Sequence, residues 1–206
     1  MKPRIPRRLL LELTVSMLRR EPRSPLADAR RMLAGLPRAP IIEGLDHLPR
    51  TGPYSVIANH YQRWDLWIGW TGALLIDAIG QPIHWLVLRD LPPVPFSRAL
   101  FARVSATYGF VPASAPALRQ PIRLLQAGEV VGFFPEGQRG HAGRLSPALP
   151  EAAKLAARLS REAPLLPAAV AERDGHLVAR FGQPFRLEEP DPARLTNSLA
   201  VLLTDC

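Results

Sequence analysis

The sequence predicts an α/β domain: a mostly parallel, mixed β-sheet flanked by helices, preceded by an N-terminal helical hairpin. Three observations predict it. Short apolar, β-branched runs alternate with amphipathic helical stretches of ordinary length along most of the chain. Several of those runs are apolar on both faces, as strands covered by helices on each side must be. The first thirty-five residues have a different, purely helical rhythm.

Each element has a local reason. Residues 5–20 read as a helix, with Ile5, Leu9, Leu10, Leu13, Met17 and Leu18 forming a wide apolar face and Arg7, Arg8, Glu12, Arg19 and Arg20 elsewhere. Ser24-Pro25 has the chemistry of an N-cap and first turn, so a second helix is expected to run to Gly35. Ile41–Gly44 and Tyr54–Ala58 are strand-like, joined by the turn Pro49-Arg50-Thr51-Gly52-Pro53. A helix over Trp64–Ile79, a strand over Ile83–Leu88 and a helix over Ser97–Ala106 follow. The pattern continues with strand Phe110-Val111, helix Ala115–Gln126, buried strand Val130–Phe134 and helix Leu149–Arg161. Strands at Leu165–Ala171 and Leu177–Phe181 and a last helix capped by Asp191-Pro192 complete it. The division expected is residues 1–38 as a basic amphipathic segment and 39–206 as the catalytic domain.

Charge narrows the function classes. The formal net charge is +8, and only Lys2 and Lys154 of the basic residues are lysines. Residues 1–50 carry one lysine and ten arginines against five acids, so this quarter contributes +6. Such a segment suits anionic lipid. A nucleic-acid partner is not expected, because the aromatics are not interleaved with the basic patch and no nucleic-acid motif occurs. No apolar run approaches the roughly 20 residues a bilayer crossing needs, and Glu12 interrupts the N-terminal apolar stretch with no cleavage site after it. Contact with a membrane is therefore expected at its surface, through residues 5–20. Trp64, Trp67 and Trp70 offer a second contact unless they pack in the core. Cys206 stands alone, so a reducing cytoplasmic setting is expected, with no disulfide. The histidines and the cysteine show no metal-ligand spacing, and no metal is expected.

Two blocks carry the chemistry. In Asn59-His60-Tyr61-Gln62-Arg63-Trp64-Asp65 a buried strand ends directly in a histidine, with a carboxylate five residues on. Sites in open α/β sheets form beyond the carboxyl ends of strands. Two residues five apart on one helix diverge, so the pair meets only if His60 sits in the loop and Asp65 folds back. In Phe133-Phe134-Pro135-Glu136-Gly137-Gln138-Arg139-Gly140 a buried strand runs into a turn whose glycine permits close approach and whose arginine can grip a phosphate. Taken singly, each block is equally readable as a capped helix start or a solvated turn.

In this order the blocks, His60-x4-Asp65 and then Phe134-Pro135-Glu136-Gly137-x-Arg139, resemble the bacterial 1-acylglycerol-3-phosphate acyltransferase family and its wider superfamily of glycerol-3-phosphate and lysophospholipid acyltransferases. Glu43–Pro49 resembles the strand and turn before the family's histidine block. Pro164–Val170 is similar to its fourth block, and Phe181-Gly182-Gln183-Pro184-Phe185 to its closing strand. The resemblance spans roughly residues 40–205. It implies transfer of a fatty acyl group from acyl-CoA or acyl carrier protein to a lysophospholipid hydroxyl, at the cytoplasmic membrane face, with no cofactor. It also implies His60 as general base, Asp65 as its orienting partner, and Glu136 and Arg139 lining the acceptor site, with Asn59 and Gly137 shaping the backbone there. Three departures stand out: Ser114 where the family has an arginine, Gln138 where it has threonine or serine, and no glycine in Leu149–Ala153. They bear on the acceptor's head group, so a non-phosphatidate acceptor is one alternative. Hydrolysis by the same pair is the other. No Gly-x-Ser-x-Gly elbow is present for a covalent route.

Overall fold

The computed structural model describes residues 4–61, 68–87, 95–112, 119–137 and 144–204. The chain begins with helices α1 (Arg7–Arg19) and α2 (Pro25–Leu33). It continues through β1 (Ile41–Glu43), β2 (Tyr54–Ala58), α3 (Ile68–Ile79), β3 (Ile83–Val87), α4 (Pro95–Tyr108) and β4 (Val111–Pro112). Then come α5 (Arg119–Gln126), β5 (Val130–Phe133), α6 (Pro150–Glu162), β6 (Leu165–Arg173), β7 (His176–Phe181) and α7 (Pro192–Leu203). The predicted caps are present: Ser24 Oγ accepts from Ala27 N–H at 3.2 Å and Asp191 Oδ1 from Arg194 N–H at 2.9 Å, each with proline following. The sequence reading of helix α4 was short at both ends. The expected helix starts at Trp64 and Ala115 lie outside the described residues.

The seven strands form one sheet in the order β1-β7-β6-β2-β5-β3-β4. Every pairing is parallel except the β6–β7 hairpin. The predicted mostly parallel mixed sheet is therefore the observed one. Phe185 adds only an isolated bridge to Leu165, so the expected closing strand is β7 followed by a single contact.

Alternation along β2 divides the core. Tyr54, Val56 and Ala58 face a layer that includes α2 and α3, whereas Ile57 faces the layer of α6 and the helix start of α7. Leu9, Ala29, Met32 and Leu33 of the N-terminal helices belong to the first of these cores, which the hairpin therefore helps to close. Polar contacts fasten it. Arg23 makes a bidentate pair with Asp28 at 2.6 Å to each oxygen, and also reaches Ser16 and Glu12. Arg31 holds Glu12 at 2.5 and 3.0 Å, and Tyr108 of α4 donates to Asp28 at 3.0 Å. Arg31 first, then Arg23, hold the Glu12 carboxyl down at about 2. Burial and the neighbouring Asp28 push the Tyr108 phenol above its usual range.

With Leu9 and Ser16 turned inward, Leu10, Leu11 and Leu18 of α1 are left at the surface. This corrects the expectation of one apolar face: the helix has two. Trp70 is 3% exposed and belongs to the core, which removes it as a surface contact. Trp64 and Trp67 lie outside the described residues. No helix among the described residues is long and apolar enough to cross a membrane.

Candidate active site

β2 and β5 lie side by side in parallel, with Ile57 opposite Phe133. Their carboxyl ends therefore bring Asn59-His60 next to Phe134-Pro135-Glu136-Gly137, two blocks 76 residues apart at the His60–Glu136 contact. On the other side of β2, Ala58 is in register with Ala168 of β6. The site sits where open parallel sheets place their sites, above strand ends.

His60 is at the apex of a tight turn. Tyr61 N–H donates to Asn59 C=O at 2.9 Å, and Thr71 Oγ1 of α3 donates to Tyr61 C=O at 2.9 Å. The His60 N–H itself donates to Glu136 Oε1 at 2.6 Å. Its ring, half-buried, meets Phe134 in a T-shaped contact with centroids 4.9 Å apart. Phe134 is in turn stacked on Trp85 of β3, 4.8 Å away and parallel within 1°. The main chain and ring of His60 are thus held by α3, by the Pro-Glu-Gly turn and by an aromatic wall.

Glu136 is 1% exposed. Its second oxygen accepts from Ser146 N–H at 2.8 Å. One carboxylate thus ties together the His60 turn, the Pro-Glu-Gly turn and the segment leading into α6. Asn59 is equally committed: its Nδ2 donates to Val170 C=O at 2.9 Å, and its Oδ1 accepts from Val170 N–H at 2.7 Å. Glu136 was expected to line the acceptor site, and Asn59 to shape the backbone there. The fold brings them to it but turns these polar atoms toward backbone. Gly137 has φ +64°, and a Cβ there would run into Leu149, whose N–H is bonded to Pro135 C=O at 2.9 Å. Asp65, Ser114, Gln138 and Arg139 lie outside the described residues.

Sequence reading missed Trp85, Thr71, Val170 and Ser146. One signal was available. Gly132 interrupts an otherwise bulky buried strand, and a Cβ there would lie 2.9 Å from the Trp85 ring. The others, Thr71 on α3, Ser146 before α6 and Val170 on β6, left no local mark.

Residues 40–171 match the family model described as Acyltransferase. The chain belongs to the Acyltransferase family. No curated protein matches the sequence of this acyltransferase. Among solved structures it is similar to the 1-acyl-sn-glycerophosphate (LPA) acyltransferase PlsC from Thermotoga maritima, with 15% identity and a TM-score of 0.63 over 98% of this chain and 82% of that one. The match shows a shared fold that extends through the N-terminal helices. The acyltransferase activity predicted from the two blocks thus agrees with the family. Among the described residues, no group of three or more His, Cys, Asp or Glu side chains is placed to hold a metal ion.

Proposed function

We propose that this acyltransferase moves a fatty acyl group from a thioester, acyl-CoA or acyl carrier protein, to the hydroxyl of a lysophospholipid such as 1-acylglycerol-3-phosphate. The observation that carries the reading is the His60 N–H bonded to Glu136 Oε1 at 2.6 Å, which joins the two motif blocks at adjacent strand ends. An alcohol is a poor nucleophile. Neutral His60 takes its proton as the oxygen attacks the thioester carbonyl, and the thiolate leaves and takes that proton. A positioned base contributes roughly 10² to 10⁴ in rate. Asp65 orients the imidazole, and Arg139 faces the acceptor's phosphate, both carried over from the family motif. Glu136 and Asn59 act by bracing the loop, and Gly137 by letting the turn close.

The test is His60→Ala with acceptor and donor supplied. Transfer is expected to be abolished in a folded protein, and Asp65→Asn is expected to lose most of it. A folded His60→Ala protein that keeps more than a few per cent of transfer refutes the mechanism. A thioesterase assay without acceptor separates transfer from hydrolysis.

A second reading concerns the acceptor. Ser114 replaces the family's arginine, and Arg119 and Arg123 were the nearest substitutes in sequence. Both lie exposed on α5, whose Leu125 belongs to the core layer of α6, whereas the Phe134 that abuts His60 packs on the opposite layer. That placement favours a less charged acceptor, such as a lysophospholipid diester. An acceptor panel of monoester against diester decides it. A clear preference for the monoester refutes the second reading.

The protein is further proposed to sit on the membrane peripherally through the exposed α1 face, with Leu10, Leu11 and Leu18 beside exposed Arg4, Arg7, Arg8, Arg19 and Arg20.

A further inference from the structure

The arginines of the N-terminal hairpin and of β6 and β7 are largely neutralised: Arg23, Arg30, Arg31, Arg173 and Arg180 each meet a carboxylate. Helix α6 is different. Lys154, Arg158 and Arg161 are all exposed and spaced i, i+4, i+7, so they share one stripe of the helix. None of the three forms an ion pair with any described residue. Like charges at such spacing disfavour a helix by a few tenths of a kcal/mol per pair.

The stripe lines a cavity of about 450 Å³ together with Ile122 of α5, Ala157 and Pro190. Arg119 and Arg123 lie within about 100° of Ile122 and Gln126 around α5. They therefore share the side that meets α6, where Gln126 Nε2 donates to Glu162 at 3.1 Å. Three exposed cations thus line one concavity, Lys154, Arg158 and Arg161, with Arg119 and Arg123 on the neighbouring helix. Two carboxylates, Glu162 and Glu188, line the same cavity.

Three features define the partner. The α5–α6 layer is on the opposite side of the sheet from α1. When Leu10, Leu11 and Leu18 rest on lipid, this face therefore meets water, and its partner is soluble. The stripe runs roughly 10 Å along the helix, at 1.5 Å per residue, which suits carboxylates distributed over a protein surface. A compact polyphosphate in the cavity would instead meet Glu162 and Glu188. Finally, α6 starts at the site: Leu149, its N-cap, is bonded to Pro135, and Lys154 lies about 6 Å along from Pro150. We propose that Lys154, Arg158 and Arg161 dock the acidic surface of a soluble protein that delivers the acyl thioester to His60. This rests on the acyl-transfer reading above.

The test compares the full-length wild type with the triple variant Lys154→Glu, Arg158→Glu, Arg161→Glu, and with a neutral triple Gln variant in case charge reversal impairs folding. Two donors are used, palmitoyl-loaded acyl carrier protein and palmitoyl-CoA. Binding of the carrier without its acyl group is followed separately by fluorescence anisotropy. The reversed variant is expected to raise KM for the carrier-borne donor about tenfold or more, leaving its kcat and the KM for palmitoyl-CoA little changed. Added salt should weaken carrier binding in wild type and much less in the variant. Undiminished carrier binding in both variants overturns the proposal, as does a wild type that does not bind the carrier. An equal rise in KM for both donors overturns it in favour of a phosphate subsite for the nucleotide. A selective loss of binding to anionic vesicles overturns it in favour of lipid. If wild type binds the carrier through this stripe yet transfers no acyl group from either donor, docking stands and the acyl-transfer reading fails.

Discussion

The Glu136 carboxylate accepts the main-chain N–H of His60 at 2.6 Å, and that bond joins the two sequence blocks on which the function rests. With its other oxygen on Ser146 N–H, Glu136 closes a bracket around the His60 turn. Glu136→Gln can keep only one of these bonds, because its amide nitrogen confronts a second donor. An unsatisfied buried donor costs about 1–3 kcal/mol. The variant is therefore expected to be less stable by about that amount in denaturant titration, with kcat falling more than KM rises. A stable variant whose only defect is a raised acceptor KM would show that Glu136 contacts the acceptor instead.

Asn59 spans β2 and β6 by pairing with both polar groups of Val170. Asn59→Ala orphans a buried N–H and a buried C=O, at about 1–3 kcal/mol each. A lowered melting temperature and a proportionate loss of soluble enzyme are expected. Acceptor affinity of the folded fraction should hold. Unchanged stability with weaker acceptor binding would show instead that Asn59 contacts the acceptor.

The hairpin's ionic clasp has a pH signature. Glu12 is held at about 2, below its ordinary 4.5, chiefly by Arg31. A carboxyl depressed in the folded state stabilises it above the unfolded value and loses that contribution as pH falls through the folded one. The protection of α1 amides, relative to their intrinsic exchange rates at each pH, should therefore fall as pH drops from about 4.5 to 2, and Glu12→Gln should abolish most of that dependence. Arg23→Ala removes the bidentate partner of Asp28 and should cost about 1.5–3 kcal/mol, the range for hydrogen bonds to charged groups.

The exposed leucines of α1 give a cleaner test of membrane contact than deleting the hairpin, since truncation would uncover the core that Leu9, Met32 and Leu33 help to close. Leu10→Ser, Leu11→Ser and Leu18→Ser together should leave stability nearly unchanged. Flotation with anionic liposomes should drop steeply, because burying each leucine contributes up to about 1.5–3 kcal/mol. Equal flotation of variant and wild type would take α1 out of the membrane account.

Local chemistry made much of this protein legible from its sequence. Ser24-Pro25 and Asp191-Pro192 each start a helix, since a side-chain acceptor meets the orphan N–H groups of a first turn. The runs Tyr54–Ala58 and Val130–Phe133 declare buried parallel strands because only such strands can be apolar on both faces. The motif blocks could be seen to end those strands, and hence to lie at one edge of the sheet. Tertiary structure decided what each polar group in them does. Asn59 and Glu136 look alike from sequence, as polar residues of the two motif blocks, yet each is bonded to backbone brought from far along the chain, Val170 for one and His60 for the other. The same holds for α1: periodicity shows that the helix is apolar, but whether Leu9 or Leu11 faces the core depends on the helix's rotation about its axis. That rotation is fixed by tertiary partners: Arg23 and Arg31 hold Glu12 and Ser16, and Leu9 packs in the core shared with α2 and α3.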